Sequence, residues 1–427
     1  RSVRTTQTRG FTFIGKRKNN MAKKRKKKRN GKKKIILFVF EILLLLVVLG
    51  VLAIYNSTLG RINYKDKLTD SQAGINDDLH EETKKTMHGY LNIALFGIDT
   101  RQPGQYDTSN SDCIMVASLN YDTNEVKLVS VYRDTYLSVG KGKYFKANSA
   151  FARGGAEQAV KMLNSNLDLD ITKYVCVDWK ALIEVIDKLG GIDLDLTSEE
   201  VKYVNFYVSE TAGSTGNNAD YLSGSGKLHL NGVQATSYAR IRYTAGDDYM
   251  RASRQRIVLQ AILDKAKGED IATLTSMCTA VMDDISTNFS ATEILGLAKD
   301  VTSYNIANTT GFPFELTTKI MSGSGDTVIP IDLANNVDQL HQFLFKDEAY
   351  EVSDTVQSIS KRIEDKTGVS SKSEAVDTSK YNNTVGVDGT TSMKEKNKKT
   401  TEQTNQNDSS NSESTNSNSN SNKKTSE

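Results

Sequence analysis

Five arginines and two aspartates crowd the stretch Ala239–Gln260, A-R-I-R-Y-T-A-G-D-D-Y-M-R-A-S-R-Q-R-I-V-L-Q. Arg240, Arg242, Arg251, Arg254 and Arg256 surround Asp247 and Asp248. A guanidinium is planar, permanently charged and bidentate, which suits it to phosphate. The β-branched and aromatic run 238–243 predicts a short strand, on which Arg240 and Arg242 share a face. Thr244 to Asp247 is turn chemistry, and Asp247 or Asp248 is suited to cap a helix that runs to Lys267 and stops at Gly268. On that helix Asp248, Arg251 and Gln255 fall at i, i+3 and i+7, on one face. Arg256 falls off that face and is expected to be exposed, so that Arg256→Lys costs little. A helix N-terminus adds its own preference for anions. Converging, these groups make a seat for a multiply charged phosphate. The competing reading is a surface helix laced with solvated ion pairs; two parallel arginines beside an acidic turn argue against it.

A second set of groups sits at predicted strand ends. Asp99 closes the apolar run Leu91–Ile98, Asp112 opens the run to Leu119, and Arg133 follows the run Glu125–Tyr132. Ligands of open α/β sheets gather outside strand ends. Two carboxylates brought together there repel unless a cation lies between them, and Mg²⁺ is the natural choice beside a phosphate. Each acid alone is more commonly a cap or turn residue; the arginine cluster tips the balance toward the metal. Other catalytic signatures are missing: no G-x-x-x-x-G-K-[ST], H-E-x-x-H or G-x-S-x-G occurs. The three cysteines, Cys113, Cys176 and Cys278, are far apart, and with four histidines they build no disulfide framework or zinc site.

These residues need a scaffold, and the order of elements predicts one. Continuous apolar strands near 91–98, 113–119, 125–132 and 191–196 alternate with helical patterns at 155–163, 179–189 and 291–301, while 198–226 reads as loop. This is an α/β domain with a mixed central sheet covered by helices on both faces, spanning 89–350, with 351–366 a possibly helical end. Before it lies a strong charge asymmetry. Roughly 16 of the 55 Lys and Arg fall in residues 1–34 without an acid, so the net charge of +3 leaves about −13 on the rest. An acidic bulk argues against nucleic-acid binding. The first 20 residues precede Met21 and are set aside as possibly upstream of the true start. The basic head abuts an apolar run of about 21 residues, 35–55, long enough to span a bilayer as one helix. The positive-inside rule keeps the head cytoplasmic and places the rest outside the cell, behind a polar stalk at 56–88. Beyond Lys366, Ser, Asn, Thr and Lys dominate, which predicts a disordered tail over 367–427.

Several of these motifs together resemble the LytR–CpsA–Psr family: F-G-I-D at 96–99, S-D at 111–112, S-V-Y-R-D-T at 130–135, K-A-N-S-A-F at 146–151, L-G-G-I at 189–192, L-N-G-V-Q-A-T-S-Y-A-R-I-R-Y at 230–243 and D-D-Y-M-R-A-S-R-Q at 247–255. The family comprises membrane-anchored ligases that move a teichoic-acid- or capsule-like glycopolymer from a polyprenyl-pyrophosphate carrier onto peptidoglycan with Mg²⁺. The resemblance implies Asp99 and Asp112 as metal ligands. It implies Arg133, Arg240, Arg242, Arg251 and Gln255 as contacts to the pyrophosphate and head group, with Lys146 a weaker carry-over. The chain departs from the family pattern in two places: Asn110-Ser111-Asp112-Cys113 stands where Arg-Ser-Asp-Thr is usual, and Tyr132 where Pro is usual.

Three functions fit these features: a phosphotransferase of cell-wall biogenesis, a noncatalytic wall-binding regulator that holds a polyprenyl phosphate, and a hydrolase that releases the polymer to water. In the first, Arg133, Arg242 and Asp248 carry the chemistry, with Asp248 either the general base or the group that orients Arg242.

Overall fold

The computed structural model describes residues 63–98, 109–244, 246–280, 285–347, 350–378 and 381. The basic head, the apolar segment 35–55, Asp99 and 382–427 lie outside these residues. Among the described residues no helix is long and apolar enough to cross a membrane.

In chain order the elements are β1 (Asn63–Tyr64), α1 (Asp70–Ala73), α2 (Glu81–Met87), β2 (Tyr90–Ile98), β3 (Ser111–Asn120), β4 (Glu125–Val131), β5 (Tyr136–Ser138), β6 (Tyr144–Lys146), α3 (Ser149–Leu167), β7 (Lys173–Val177), α4 (Trp179–Lys188) and β8 (Ile192–Leu196). There follow α5 (Ser198–Thr215), β9 (Gly226–Leu230), α6 (Gly232–Arg240), α7 (Asp247–Ala266), α8 (Ile271–Ala280), β10 (Ile285–Thr287), α9 (Ala291–Lys299), β11 (Asn305–Phe312), β12 (Leu316–Met321), β13 (Gly325–Pro330), α10 (Leu333–Phe345) and α11 (Asp354–Thr367). Seven strands form one mixed sheet in the order β1-β10-β7-β2-β3-β4-β11. β2, β3 and β4 run antiparallel to their neighbours in sequence, and β7 and β11 join them in parallel.

Both faces of the sheet are covered, which explains the unbroken apolar runs. On one face Phe96, Ile98, Ile114, Val116, Val129 and Val131 pack in a single core with residues of α3, α10 and α11. On the other, Ile93, Leu95, Ala117, Leu128 and Ile306 meet Leu259 and Leu263 of α7. The mixed α/β expectation therefore agrees with the structure. A second core joins α4, α5, α6, α7 and the antiparallel β8–β9 pair through Ile183, Val204, Val208, Leu194, Tyr238 and Val258.

Local readings differ in four places. The predicted strand at 238–243 is instead the end of α6 and the loop after it. Asn231 caps Gln234 N–H while the Gln234 side chain caps Asn231 N–H, and this reciprocal cap starts a helix that overrides strand propensity. The region read as loop at 198–226 contains α5, opened by the same device on Thr197 and Glu200. The stalk is part of the fold from residue 63 on: β1 pairs with β10, and Ala73, Leu79 and Met87 are buried in the main core. The ordered chain also runs past Lys366. Val376 N–H donates to Leu316 O (2.8 Å), and Thr378 and Tyr381 are buried. Sparse apolar content hid this strap, because it is held by a few single anchors rather than by a repeating pattern.

Candidate functional site

The site lies where the N-terminus of α7 meets the start of β3 and the end of β4. The β4 end is fixed by its own turn. Thr135 donates to Tyr132 O through both its hydroxyl (2.7 Å) and its N–H (3.0 Å), and Asn148 N–H donates to Arg133 O (3.0 Å). This pins the backbone that carries Arg133. Entry into α7 needs Gly246, at φ 92°, where a Cβ would also collide with the Tyr381 ring. Helical spacing then turns Asp248, Arg251 and Gln255 toward the strand ends. With Asp112, Arg133 and Tyr132 they line a pocket.

Asp248 is the hub. Its carboxylate lies 3.0 Å from Arg251 Nη2, 3.4 Å from Arg133 Nε and 3.4 Å from Arg242 Nε. Asp112 Oδ1 accepts from Arg133 Nη1, and Arg251 Nη2 reaches the Asp112 carbonyl at 3.3 Å. Burial opposes the charge on Arg133, but Asp248, Asp112 and Asp134 outweigh it and raise the pKa above its usual value. For Arg251 burial prevails: it lowers the pKa, Asp248 opposes, and repulsion from Arg133 adds to the burial. Like charges are thus held at short range by two carboxylates. An entering anion relieves that repulsion. Hydrogen-bonding capacity is also left over. Among the described residues Gln255 Nε2, Arg133 Nε and Asp248 Oδ1 are buried and have no aligned hydrogen-bond partner. Unused donors on a pocket wall are what an anion site presents before it is filled.

The predicted site residues divide. The structure brings together Asp112, Arg133, Asp248, Arg251 and Gln255 in the pocket, with Arg242 at its rim, 39% exposed. Lys146 pairs with Asp134 (3.1 Å), which is 3.7 Å from Arg133, so it stands one carboxylate away. Arg240 does not join them. It ends α6, donates to Thr211 Oγ1 (2.7 Å) and Glu210 (3.0 Å), and sits over the Trp179 and Tyr207 rings. The end of α6, not a strand face, separates Arg240 from Arg242, so the paired-fork expectation is corrected. Arg256 is not exposed either. It is 1% accessible, donating to Ser130 Oγ (2.8 Å) and Tyr381 O (2.9 Å). Burial pulls its pKa down to about 10.

Behind the pocket is a group of residues that the sequence reading did not assign. Tyr132 meets the Tyr249 ring edge-on (4.7 Å between centroids), and Tyr249 stacks on Tyr381 (5.8 Å). Tyr132 N–H donates to Phe312 O (3.0 Å), a bond that proline cannot make. Its ring occupies the space beside Gly311, where any Cβ would overlap the phenol. The departure at 132 was visible in sequence; its partners, far along the chain, were not. Burial pushes the Tyr132 phenol and the Cys113 thiol each up to about 12, so both stay protonated at neutral pH. Asn110 is exposed.

The donor chemistry at Asp112 fits a hard dication. It is a carboxylate at the mouth of the pocket, 26% exposed, with one oxygen engaged by Arg133. Among the described residues no cluster of three or more His, Cys, Asp or Glu could hold a metal unaided. Asp99, the second ligand the sequence offers, lies outside them.

A sheet of this topology, with arginines clustered on one aspartate beyond its strand ends, defines an α/β protein with an arginine-lined pocket. The LytR_cpsA_psr family model matches residues 59–339, and the chain belongs to that family. It is 33% identical over 218 residues to the polyisoprenyl-teichoic acid–peptidoglycan teichoic acid transferase TagU of Enterococcus faecalis, covering 50% of this chain and 66% of that one. TagV of Bacillus subtilis, a transferase of the same description, is 30% identical over 258 residues, 59% of this chain and 62% of its own. The chain thus spans just under two thirds of these relatives. Among solved structures, protein gbs0355 of Streptococcus agalactiae superposes with a TM-score of 0.50 at 23% identity, covering 64% of this chain and 93% of that one, and so shares the fold.

Proposed function

We propose that this protein is a phosphotransferase that moves a glycopolymer from a polyprenyl-pyrophosphate carrier to peptidoglycan. The observation that carries this reading is the convergence of Arg133, Arg242 and Arg251 on Asp248, with unused donors facing the pocket. The relatives named as teichoic acid transferases supply the substrate class. A sugar hydroxyl of the acceptor attacks the phosphorus next to the first sugar of the polymer. The new O–P bond forms as the bond to polyprenyl phosphate breaks, and the hydroxyl proton passes to solvent or to a base. Charge that builds on the phosphate oxygens meets Arg133, Arg251 and Gln255, already in place. Asp248 touches three guanidinium groups, so its part is to orient them rather than to accept the proton. Mg²⁺ would be held by Asp112 with Asp99 and would supply further charge neutralisation at the phosphate.

The basic head and the apolar run 35–55 support a single-pass anchor with the domain outside the cell. An impermeant thiol reagent on intact cells checks this: Ser409→Cys is labelled without lysis if the tail is outside, and protection until lysis reverses the topology. The function is tested with full-length protein, lipid-linked polymer and stripped peptidoglycan. Linked polymer supports transfer. Bound lipid without product supports a noncatalytic regulator, and free polymer a hydrolase. Chelation by EDTA should stop transfer and added Mg²⁺ restore it; full activity in EDTA contradicts the metal.

A further inference from the structure

Beside the pocket rim, one tyrosine is both exposed and braced. Tyr243 follows Arg242 directly and is 66% exposed, yet three aromatic rings hold it. Tyr207 lies parallel to it, 6.3 Å away and 5° from coplanar; Phe206 meets it edge-on at 6.4 Å, and Tyr203 at 6.4 Å. Phe206 is itself 66% exposed, whereas Tyr207 is buried under the cluster. Arg240 anchors Tyr207 from beneath, its guanidinium 5.4 Å from the ring centre, and is pinned by Glu210 and Thr211. An exposed aromatic group of this size is not neutral to leave in water, and exposed apolar patches mark interaction sites. Here the rings are also held in fixed orientation, so little entropy remains to be lost on binding.

We propose that Tyr243 and Phe206 form a platform for the glycan strand of the peptidoglycan acceptor. This rests on the transfer reading above and assigns the acceptor side of that site. The face of an aromatic ring is the negative end of its quadrupole, and a pyranose offers a flat array of weakly positive C–H groups with hydroxyls at the edge. Tyr243 and Phe206 match this with exposed aromatic rings, braced by the buried Tyr207. The platform adjoins the pocket rim, because Tyr243 follows Arg242 and Arg242 pairs with Asp248. It is open, as a strand of a large polymer requires, whereas the donor's pyrophosphate belongs in the pocket. A membrane surface fits less well, since only Phe206 in the cluster lacks a polar edge and Arg240 is already paired with Glu210.

The test uses full-length protein carrying Tyr243→Ala with Phe206→Ala, and Tyr243→Phe as the variant that keeps the ring. Three kinds of measurement are made: cosedimentation with stripped peptidoglycan in the absence of donor, kinetics giving KM for soluble glycan-strand acceptor and for lipid-linked donor, and binding to anionic lipid vesicles. The double variant is expected to lose cosedimentation and to raise acceptor KM about tenfold, as two aromatic contacts warrant. Donor KM and the rate at saturating acceptor should stay within about twofold, a difference too small to represent a lost contact. Tyr243→Phe should behave as the parent, and Phe206→Ala alone serves if the double variant does not fold. Unchanged cosedimentation and acceptor KM overturn the platform. So does a rise confined to donor KM, which gives the patch to the donor, or a loss of vesicle binding with acceptor KM intact, which gives it to the membrane. If the parent protein shows no transfer, the function above fails while cosedimentation still decides the platform.

Discussion

Arginines on one helix have opposite fates. Arg251 and its neighbours Arg133 and Arg242 share one carboxylate hub, and a buried donor on Arg133 and another on Gln255 have no aligned partner. Arg254, three residues on, is buried and bonded to Glu200 (3.2 Å), Ile241 O (3.3 Å) and Thr244 Oγ1 (3.1 Å). Arg256 is bonded to Ser130 and to Tyr381 O. Residue type is the same; the turn of the helix decides. Positions facing the strand ends look into a pocket, and the others look into packed protein. One set is available to a ligand because it borders the pocket. The other ties α5, the strap and β4 to α7; Arg256 Nε has no partner either, but it faces packed protein rather than a pocket.

The largest effect expected from this contrast is on stability at Arg256. Arg256→Ala leaves Ser130 Oγ and Tyr381 O unpaired in a buried site, at about 1–3 kcal/mol each, and relieves the burial cost of the guanidinium itself, for a net loss of about 2–4 kcal/mol. A thermal or urea melt should show a loss of that order. A variant that melts like the parent would erase the distinction between the two sets.

Next in size is the mirror image at Arg251. Arg251→Lys keeps the charge but loses the planar fork, so transfer should fall roughly ten- to a hundredfold, about 1.5–3 kcal/mol. Arg242→Lys, at the exposed rim, should lose less. Rates measured beside melts separate chemistry from folding; equal losses at 242 and 251 would contradict the hub.

Much of this helix was legible in the sequence. Asp248, Arg251 and Gln255 announce a shared face by spacing alone, and the apolar runs at 91–98 and 113–119 announce buried strands. Arg256 was misread because helical spacing says which residues share a face but not what lies opposite. The partners that bury it, Ser130 and Tyr381, are more than a hundred residues away. Arg240 was misread because strand propensity at 238–243 hid the capping pair Asn231 and Gln234. The strap at 376–381 was invisible because its anchoring uses backbone groups and single side chains.

That strap sharpens the comparison at a smaller scale. A chain ending at Lys372 loses the Tyr381 carbonyl from Arg256 and the ring from Tyr249. After the entropy of ordering the strap is offset, a loss of roughly 1–2 kcal/mol is expected relative to a chain ending at Asn383. Identical melts would show that Arg256 does not depend on the strap.

The smallest effect has a pH signature. His341 is fully buried, stacked on Tyr350 (3.8 Å) and bonded to Leu167 O (3.1 Å). Burial lowers its pKa below the ordinary 6.5. The unfolded chain therefore binds the proton first, and His341 stability is lost as pH falls below about 6.5, by at most about 1.4 kcal/mol per pH unit. The arginine pocket does not titrate in this range. Melts at pH 7.5 and 5.5 should show a drop in the parent that is smaller in His341→Gln; equal drops would assign it to other groups.

The most direct test of the central claim is calorimetric titration of polyprenyl pyrophosphate into full-length protein, parent against Arg251→Lys. If the pocket organised by Asp248 holds the pyrophosphate, Kd rises roughly ten- to a hundredfold while the melt stays within a few degrees. An unchanged Kd in a well-folded variant would place the phosphate elsewhere and contradict the account.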